Sequence, residues 1–224
     1  MRNIINLNDC WRFTKTSNVP TALPTDWQSV TLPHTWNAAD GQDGGNDYWR
    51  GTAMYCKEFE RPALEPDGRA VLEFLGAAMT ADVYVNGRHL VHHGGGYSTF
   101  RVDTTDALAD TNLLCVAVDN SANDRVYPQK ADFTFYGGLY RDVNLITVPA
   151  ERFELCKDGT PSIKVTPVVD LEAKTATVTV ETWQNSGQSV AICVAGQTKL
   201  AVVENGHTEA VFTIENVHLY GLQI

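Results

Sequence analysis

The sequence predicts an all-β protein in which antiparallel strands form sandwiches. Short runs of β-branched and aromatic residues follow one another along the chain, and turn residues separate them. The pairs Asn86-Gly87 and Asn205-Gly206 tolerate positive φ at both positions of a tight turn, as β-hairpins require. No window of helical length has an apolar period of 3.6 residues. The segment Thr104–Ala109 is expected to form one helical turn at most.

The segments predicted as strands are rich in residues that favour a pleated, half-buried surface. In chain order they are Met54–Phe59, Val71–Leu75, Asp82–Val85, Leu113–Val118, Val143–Val148, Ile163–Val169, Ala176–Trp183, Val190–Val194, Leu200–Val203 and Ala210–Ile214. The first two are separated by the turn signal Asp67-Gly68. Residues 175–181 alternate small or apolar side chains with polar ones, which is typical of a strand with one buried face.

The aromatic content and the loop lengths of the chain change near residue 150, which predicts two domains. Residues 1–150 contain four of the five tryptophans and long loops rich in Gly, Asp and Asn. Residues 151–224 have short turns and few aromatic side chains. We therefore predict a large decorated sandwich over residues 1–150 and a smaller immunoglobulin-like sandwich over residues 151–224, joined at 148–151.

Composition and charge exclude several classes of protein. Hydrophobic residues make up 43% and charged residues 20% of the chain, which argues against a disordered protein. The net charge is −10, and the chain has no Lys/Arg cluster, so no nucleic-acid partner is expected. The apolar runs are shorter than a membrane helix requires, so no membrane association is expected. Residues 1–6 lack the apolar core of a signal peptide, which predicts a cytoplasmic location.

The five cysteines and six histidines do not form a recognisable metal site. No CxxC pair or zinc-like spacing occurs, and five reduced thiols are expected. The adjacent His92 and His93 should point to opposite faces of a strand, which makes joint metal ligation awkward. The Gly94–Gly96 run that follows them is interpreted as a bend. The sequence also lacks a nucleophile elbow and a Ser/His/Asp constellation.

Two loops carry residues suited to binding. The loop Asn37–Gly51 has carboxylates whose spacing does not fit an EF-hand, and it ends in Tyr48, Trp49 and Arg50. Those aromatic and polar groups fit either a sugar face with its hydroxyls or a loop that packs on its own rings. In the second loop, Asp132 precedes an aromatic run that a Gly-Gly pair ends, and it either caps a turn or faces a ligand.

A series of short motifs gives the chain a family resemblance. In order they are Trp11-Arg12-Phe13, Leu32-Pro33-His34-Thr35-Trp36-Asn37, Tyr48-Trp49-Arg50-Gly51, Val83-Tyr84-Val85-Asn86-Gly87, Val118-Asp119-Asn120 and Tyr136-Gly137-Gly138-Leu139-Tyr140-Arg141-Asp142-Val143. Over residues 5–148 the series resembles the N-terminal sugar-binding domain of glycoside hydrolase family 2, and its two loops look most like the β-galactosidase branch. The segment 161–167 resembles the start of the family's immunoglobulin-like second domain.

The resemblance implies a fold and a limit on activity. It implies a jelly-roll (galactose-binding-like) sandwich over residues 1–150, followed by an immunoglobulin-like sandwich over 151–224 that is expected to be truncated. Family members hydrolyse glycosides with two glutamates of a third domain, a (β/α)₈ barrel of about 250 residues. None of the glutamates of this chain matches that pair. We therefore expect a non-catalytic portion of a β-galactosidase-like enzyme, either a fragment or a truncated product.

The resemblance also implies substrate contacts near the mouth of that barrel. Asp132 matches an aspartate that contacts the sugar and helps to hold a monovalent cation in β-galactosidases. The loop containing Asn46 and Asp47 matches one that supplies a polar residue near the sugar, and Arg50 is a further candidate there. No other metal or cofactor is expected. The implied partners are a carbohydrate substrate, the catalytic barrel of the parent chain and further copies of the parent in a homo-oligomer.

Two other functions stay open from the sequence. The chain fits a free-standing carbohydrate-binding module of jelly-roll type, which would need a complete sugar site within residues 1–150. It also fits a sandwich with a structural or protein-interaction role, which would present a sizeable exposed apolar patch.

Overall fold

The computed structural model describes residues 2–38, 48–126, 134–156 and 162–217. The all-β prediction is confirmed, because the described residues form antiparallel strands. They also form one 3₁₀ turn, Thr105–Ala107, within the segment that is expected to form one helical turn at most. The chain divides into two compact units, Met1–Pro149 and Ala150–Ile224. Each unit has its own hydrophobic core.

The first unit contains ten described strands in two antiparallel sheets. The strands are β1 (Asn3–Asn6), β2 (Trp11–Thr14), β3 (Gln28–Val30), β4 (Thr52–Glu60), β5 (Arg69–Phe74), β6 (Thr80–Val85), β7 (Arg88–Gly94), β8 (Phe100–Asp103), β9 (Thr111–Asp119) and β10 (Val143–Val148). The larger sheet has the order β3-β2-β4-β9-β6-β7, and the smaller has the order β1-β10-β5-β8. Strands that are distant in sequence therefore lie side by side, as in a sandwich.

The long central strands of the larger sheet hold the core of this unit. β4 and β9 pair from Thr52↔Asp119 to Glu60↔Thr111, and their inward side chains are almost fully buried. Trp11, Tyr55 and Phe74 are among the largest buried side chains, and they belong to one cluster that spans both sheets. Burial of this much apolar surface is the main contribution that stabilises the sandwich.

The outer face of the larger sheet is also covered at its centre. Met54, Cys56 and Cys115 are buried there under side chains from the long connection between β2 and β3, including Leu23 and Trp27. This second layer explains why β4 and β9 have few polar residues at their middle positions. A strand buried on both faces is apolar throughout rather than alternating.

The two Asn-Gly turns have the predicted geometry. Asn86 and Gly87 have φ of 52° and 78° and connect β6 to β7. Asn205 and Gly206 have φ of 53° and 75° and lie before the last strand of the second unit. Asp67-Gly68 is different, because it lies between β4 and β5, which belong to different sheets. It is a corner between the layers rather than a hairpin.

The second unit is a smaller two-layer arrangement. Its strands are β11 (Ile163–Asp170), β12 (Thr175–Trp183), β13 (Ser189–Val194), β14 (Gln197–Val202) and β15 (His207–Glu215). One sheet has the order β11-β12-β15, and the other contains β13 and β14. Phe212 is fully buried at the centre of its core, among small and branched side chains such as Val178, Val180 and Ile192.

The structure adds strands that sequence patterns did not predict. β1, β2 and β3 are short, and β7 is an edge strand that carries polar side chains. Their residues do not form the apolar runs on which the prediction depended. Within β7, His92 pairs with Asp82 and His93 with Ala81, so the two histidines point to opposite faces as expected. His92 hydrogen-bonds Asp82, whereas the His93 ring stacks on Phe100.

Cys10, Cys56, Cys115, Cys156 and Cys193 are free thiols. In the described part of the chain, no group of three or more His, Cys, Asp or Glu side chains is arranged to hold a metal ion. None of the helical segments described is long and apolar enough to cross a membrane.

The core of the second unit gives a first prediction. Phe212→Ala removes the one large ring at its centre and is expected to destabilise this unit by about 3–5 kcal/mol. The matched control is Val211→Ala, because Val211 is adjacent in the same strand but 40% exposed, and it should cost less than about 1 kcal/mol. Thermal unfolding followed by circular dichroism measures both. Equal losses for the two variants would contradict the assignment of this core.

Candidate functional site

Two buried asparagines connect the loops that carry the family-like motifs. Asn37 and Asn120 are both fully buried, and the Asn120 Nδ2 donates to the Asn37 Oδ1 at 3.1 Å. The same oxygen accepts the backbone N–H of Gly137 at 2.8 Å. The Asn37 Nδ2 donates to the backbone oxygen of Trp49 at 2.9 Å. We call this pair and its bonded backbone groups the asparagine knot.

The Asn120 side chain extends the knot to two more segments. Its Oδ1 accepts the Gly51 N–H at 2.9 Å, and its Nδ2 also donates to the Phe135 backbone oxygen at 3.3 Å. The Asn120 backbone oxygen accepts a bond from Arg50 Nε at 2.8 Å. Buried amide groups of this kind are costly unless they are bonded, so the knot fixes these segments relative to one another.

The Gly-Gly pair is required by close packing beside the knot. A Cβ atom on Gly137 would lie 2.0 Å from the Trp36 ring, closer than two non-bonded carbon atoms can approach. Gly138 has φ of +132°, and a Cβ atom there would lie 2.4 Å from the backbone oxygen of His34. The backbone of Gly138 also exchanges hydrogen bonds with Ala78, which lies in the connection between β5 and β6. The Gly137-Gly138 pair thus lets its loop pack directly on the Trp36 ring.

The Trp36 ring belongs to a group of packed aromatic rings in the core beneath the knot, and we call this group the aromatic bed. The Trp36 ring stacks with Phe13, with ring centres 6.1 Å apart, and meets Trp49 edge-on at 5.5 Å. His34 Nδ1 lies 2.8 Å from the Tyr55 hydroxyl, and the His34 ring also packs on Phe13. The indole Nε1 of Trp36 is buried and has no hydrogen-bond partner among the described residues.

Burial sets the charge state of the His34–Tyr55 pair. Desolvation lowers the pKa of His34 below its ordinary value of 6.5. Desolvation raises the pKa of Tyr55 well above its usual range, although a backbone hydrogen bond at Leu139 opposes that shift. Both groups are therefore neutral near pH 7, and they contribute a polar contact rather than a charge to this bed.

Most of the site residues predicted from sequence fall outside the described residues. Asp132, Asn46 and Asp47 lie in segments 127–133 and 39–47, which the structure does not describe. The described residues at the ends of those segments are bonded to each other, since the Phe135 N–H donates to the Tyr48 hydroxyl at 3.2 Å. The asparagine knot therefore brings together the chain ends from which both predicted binding loops extend.

Arg50 is the one predicted site residue that the structure describes. It is half-buried, its Nε donates to the Asn120 backbone, and its guanidinium lies 5.8 Å from the Tyr48 ring centre. Arg50 therefore helps to hold the knot. The sequence predicts a substrate contact for this residue but carries no local sign of the bond to Asn120, which is 70 residues distant.

The structure has a cavity beside the knot that no sequence pattern predicts. Tyr97, Tyr136 and Tyr140 line about 460 Å³ of mainly apolar space, together with Thr35, Ala78 and Thr134. The Tyr140 hydroxyl donates to the Gly96 backbone at 2.5 Å, which fixes that wall. Tyr97 directly follows the glycine run that the sequence indicates as a bend, and its side chain is 48% exposed.

Arg141 and Asp142 fix the neighbouring loops. An Arg141 Nη1 donates to the backbone oxygens of Leu75 and Tyr97, each at 3.2 Å. The Asp142 carboxylate accepts a bond from Asn8 Nδ2 at 2.9 Å. Hydrogen bonds that involve a charged group are stronger than neutral ones, so these contacts stiffen the end of the sandwich that carries the knot.

Comparison with known proteins places this arrangement in a family. Residues 4–149 match the family described as "Glycosyl hydrolases family 2, sugar binding domain". A beta-glucuronidase from Bacteroides fragilis is 38% identical over 148 residues, which are 65% of this chain and 21% of that protein. A beta-galactosidase from Thermoanaerobacter pseudethanolicus is 27% identical over 156 residues, which are 63% of this chain and 20% of that protein.

The similarity extends through the second unit in a solved structure. An FMN-binding beta-glucuronidase from Facaelibacterium prausnitzii L2-6 superimposes with a TM-score of 0.80 and 38% sequence identity. The match covers 98% of this chain and 35% of that protein. The chain spans between 17% and 25% of the length of the first curated relatives that it matches.

The knot gives a second prediction. Asn120→Ala leaves the Gly51 N–H and the Phe135 oxygen without their side-chain partner, at a cost of about 1–3 kcal/mol for each buried unpaired group. Asn120→Asp should also destabilise the first unit, because a carboxylate would face the Asn37 and Phe135 oxygens. Asn3→Ala at an exposed asparagine is the control. Urea unfolding measures all three variants, and a loss within error of the control would contradict a structural role for the knot.

Burial of His34 gives a prediction for pH. Because the folded-state pKa of His34 is below 6.5, the unfolded state binds a proton first as the pH falls. The free energy of unfolding should therefore decrease as the pH falls below about 6.5, until the folded-state pKa is reached. His34→Asn keeps a polar group near Tyr55 but does not titrate, so it should flatten this dependence. An unchanged slope between pH 7 and pH 5 in urea unfolding would contradict the prediction.

Proposed function

The chain belongs to glycosyl hydrolase family 2, and we propose that it serves as the non-catalytic N-terminal portion of a retaining β-glycosidase. The observation that carries this proposal is the family match over residues 4–149, combined with relatives four or more times as long as the matched part. In such an enzyme the bond is cleaved by two glutamates of a barrel domain, one as acid/base and one as nucleophile. This chain contributes the binding scaffold beside that barrel.

The proposed contribution is a pair of loops at the mouth of the active site. Asp132 accepts a hydrogen bond from a sugar hydroxyl, directly or through a bound monovalent cation, and Asn46 or Asp47 supplies a second polar contact. Arg50 follows Asn46 and Asp47 in the same loop and is already held by the knot. The support for this proposal is that both loops extend from bonded chain ends at Tyr48 and Phe135.

The substrate class follows from the relatives and from the chemistry of the loops. The relatives include proteins named beta-glucuronidase and beta-galactosidase, so the proposed substrates are β-glycosides of glucuronic acid or galactose. The partners of the chain are this carbohydrate and the catalytic barrel of the longer enzyme, which we propose to be a homo-oligomer. Galactose presents only hydroxyls to carboxylate and amide groups, whereas glucuronate adds a carboxylate that favours an arginine contact.

Assays on this chain alone test the non-catalytic role. p-Nitrophenyl β-glucuronide and p-nitrophenyl β-galactoside should not be hydrolysed, because no barrel glutamates are present. Isothermal titration with galactose and glucuronate should show no saturation, since the loops form only one wall of the site. Hydrolysis would overturn the proposal. Saturable binding without hydrolysis would instead favour the free-standing carbohydrate-binding module.

A substitution in the longer enzyme tests the role of Asp132. Asp132→Ala should lower kcat/KM by about one to three orders of magnitude, because a charged acceptor in a desolvated site would be lost. If Asp132 only caps a turn, the same change should cost about 1 kcal/mol of stability and leave kcat/KM unchanged. Measuring kcat/KM and Tm on one preparation separates the two roles. Asn120→Ala is the comparison, since it acts on the knot without contacting substrate.

A further inference from the structure

Two buried cysteines lie opposite each other at the centre of the larger sheet of the first unit. Cys56 of β4 pairs with Cys115 of β9, and the two are 0% and 1% exposed. Residues directly opposite each other in neighbouring strands share a face of the sheet. Both side chains belong to the cluster on the outer face, beneath the connection between β2 and β3. Neither the knot nor the predicted binding loops use these thiols.

The backbone bonds just beyond each end of the β4–β9 ladder show which pairs of residues are hydrogen-bonded. The Asn120 N–H donates to the Gly51 oxygen at 3.3 Å, and the Arg61 N–H donates to the Asp110 oxygen at 2.8 Å. Hydrogen-bonded and non-hydrogen-bonded pairs alternate along an antiparallel ladder. The register between these two bonds is unbroken, so the even-numbered residues of β4, which include Cys56, form the non-hydrogen-bonded pairs.

A pair of this kind is close enough for a disulfide. Opposite residues of a non-hydrogen-bonded pair have Cα atoms about 4.5 Å apart, closer than in a hydrogen-bonded pair. A disulfide forms at Cα separations of about 4.4–6.8 Å. The Cys115 thiol already hydrogen-bonds the Cys56 thiol, and this contact together with burial raises the pKa of Cys56. The two thiols can therefore be joined without a shift of the strands.

We propose that Cys56 and Cys115 form a modification site, at which hydrogen peroxide converts the two thiols to a cross-strand disulfide. The proposal is independent of the carbohydrate function. One thiolate attacks a peroxide oxygen, the O–O bond breaks, and a sulfenic acid and one water form. The second thiol attacks the sulfenic sulfur, the S–O bond breaks, and a second water leaves. The two thiols thus lose two electrons and two protons, which convert one peroxide molecule to two waters.

Access to the site depends on the cover over the thiols. Leu23 and Trp27 pack on the cluster that contains both cysteines. The raised pKa keeps Cys56 protonated, and the thiolate is the nucleophile, so the closed structure reacts slowly. Local opening of the connection between β2 and β3 admits peroxide, which is close to water in size, and solvates the thiolate. This opening therefore sets the rate of oxidation.

The disulfide would fasten the two strands that end at the asparagine knot. β4 begins directly after Gly51, and β9 ends directly before Asn120. A cross-link between residues distant in the chain restricts the unfolded state, which stabilises the folded one. Oxidation should thus raise the Tm of the first unit by several degrees, and an unchanged or lower Tm would contradict the proposal.

Oxidation of a chain that keeps only these two cysteines tests the proposal. Cys10→Ser, Cys156→Ser and Cys193→Ser remove the three exposed thiols. The folded chain is treated with hydrogen peroxide, the peroxide is removed with catalase, and the thiols are titrated after unfolding. Both remaining thiols should be lost in parallel, and dithiothreitol should restore both. The oxidised chain should remain a monomer whose mass is lower by two hydrogen atoms.

Four results would overturn the proposal. Three of them concern the thiols of the folded chain: both are retained, one is lost alone, or the loss is not reversed by dithiothreitol. An irreversible loss is the behaviour of sulfinic and sulfonic acids rather than of a disulfide. The fourth is a disulfide-linked dimer, because the bond would then join two chains.

A pair of tryptophan variants tests the route to the site. Trp27→Ala removes part of the cover and should speed disulfide formation at least about fivefold. Trp183→Ala removes a ring of the same size from the second unit and should leave the rate within about twofold of the parent chain. Equal rates in the two variants would overturn the proposed role of the cover.

Discussion

The hydrogen bond between Asn120 and Asn37 is the interaction on which the loop end of the first unit depends. It joins residues 83 positions apart and lies where water has no access. Each amide also bonds backbone groups from other segments, so the pair replaces the ladder bonds that loops lack. The alternative to each bond is an unpaired polar group in the core, which makes the arrangement specific as well as stable.

The knot also explains why this region requires a glycine beside a large aromatic ring. Its backbone partners can approach only because Gly137 has no side chain against Trp36. The Trp36 ring in turn packs on Phe13 of β2 and Tyr55 of β4, so the larger sheet supports the loops. A binding loop gains precision from supports of this sort, because its own backbone has few bonds that hold it.

Sequence analysis predicted the fold more completely than the site, for physical reasons. The central strands are apolar runs such as Leu113–Val118, and a local pattern is enough to find them. Short edge strands such as β1 bury little, and their composition does not differ from that of a loop. The knot joins residues from distant positions, so no local pattern reveals it. Arg50 is an example of a contact that no local pattern reveals, because its bond to Asn120 depends on tertiary packing alone.

The two units differ in how much of their sheet surface is covered. In the first, two sheets of six and four strands face each other, and a third layer covers the centre of the larger sheet. In the second, a three-stranded sheet faces two strands, and every residue of β11 is exposed. Burial per residue is therefore lower in the second unit, and hydrophobic stabilisation scales with the area removed from water. The scaffold of the loops thus has both faces of its central strands covered, whereas the core of the second unit reaches β12 and leaves β11 exposed.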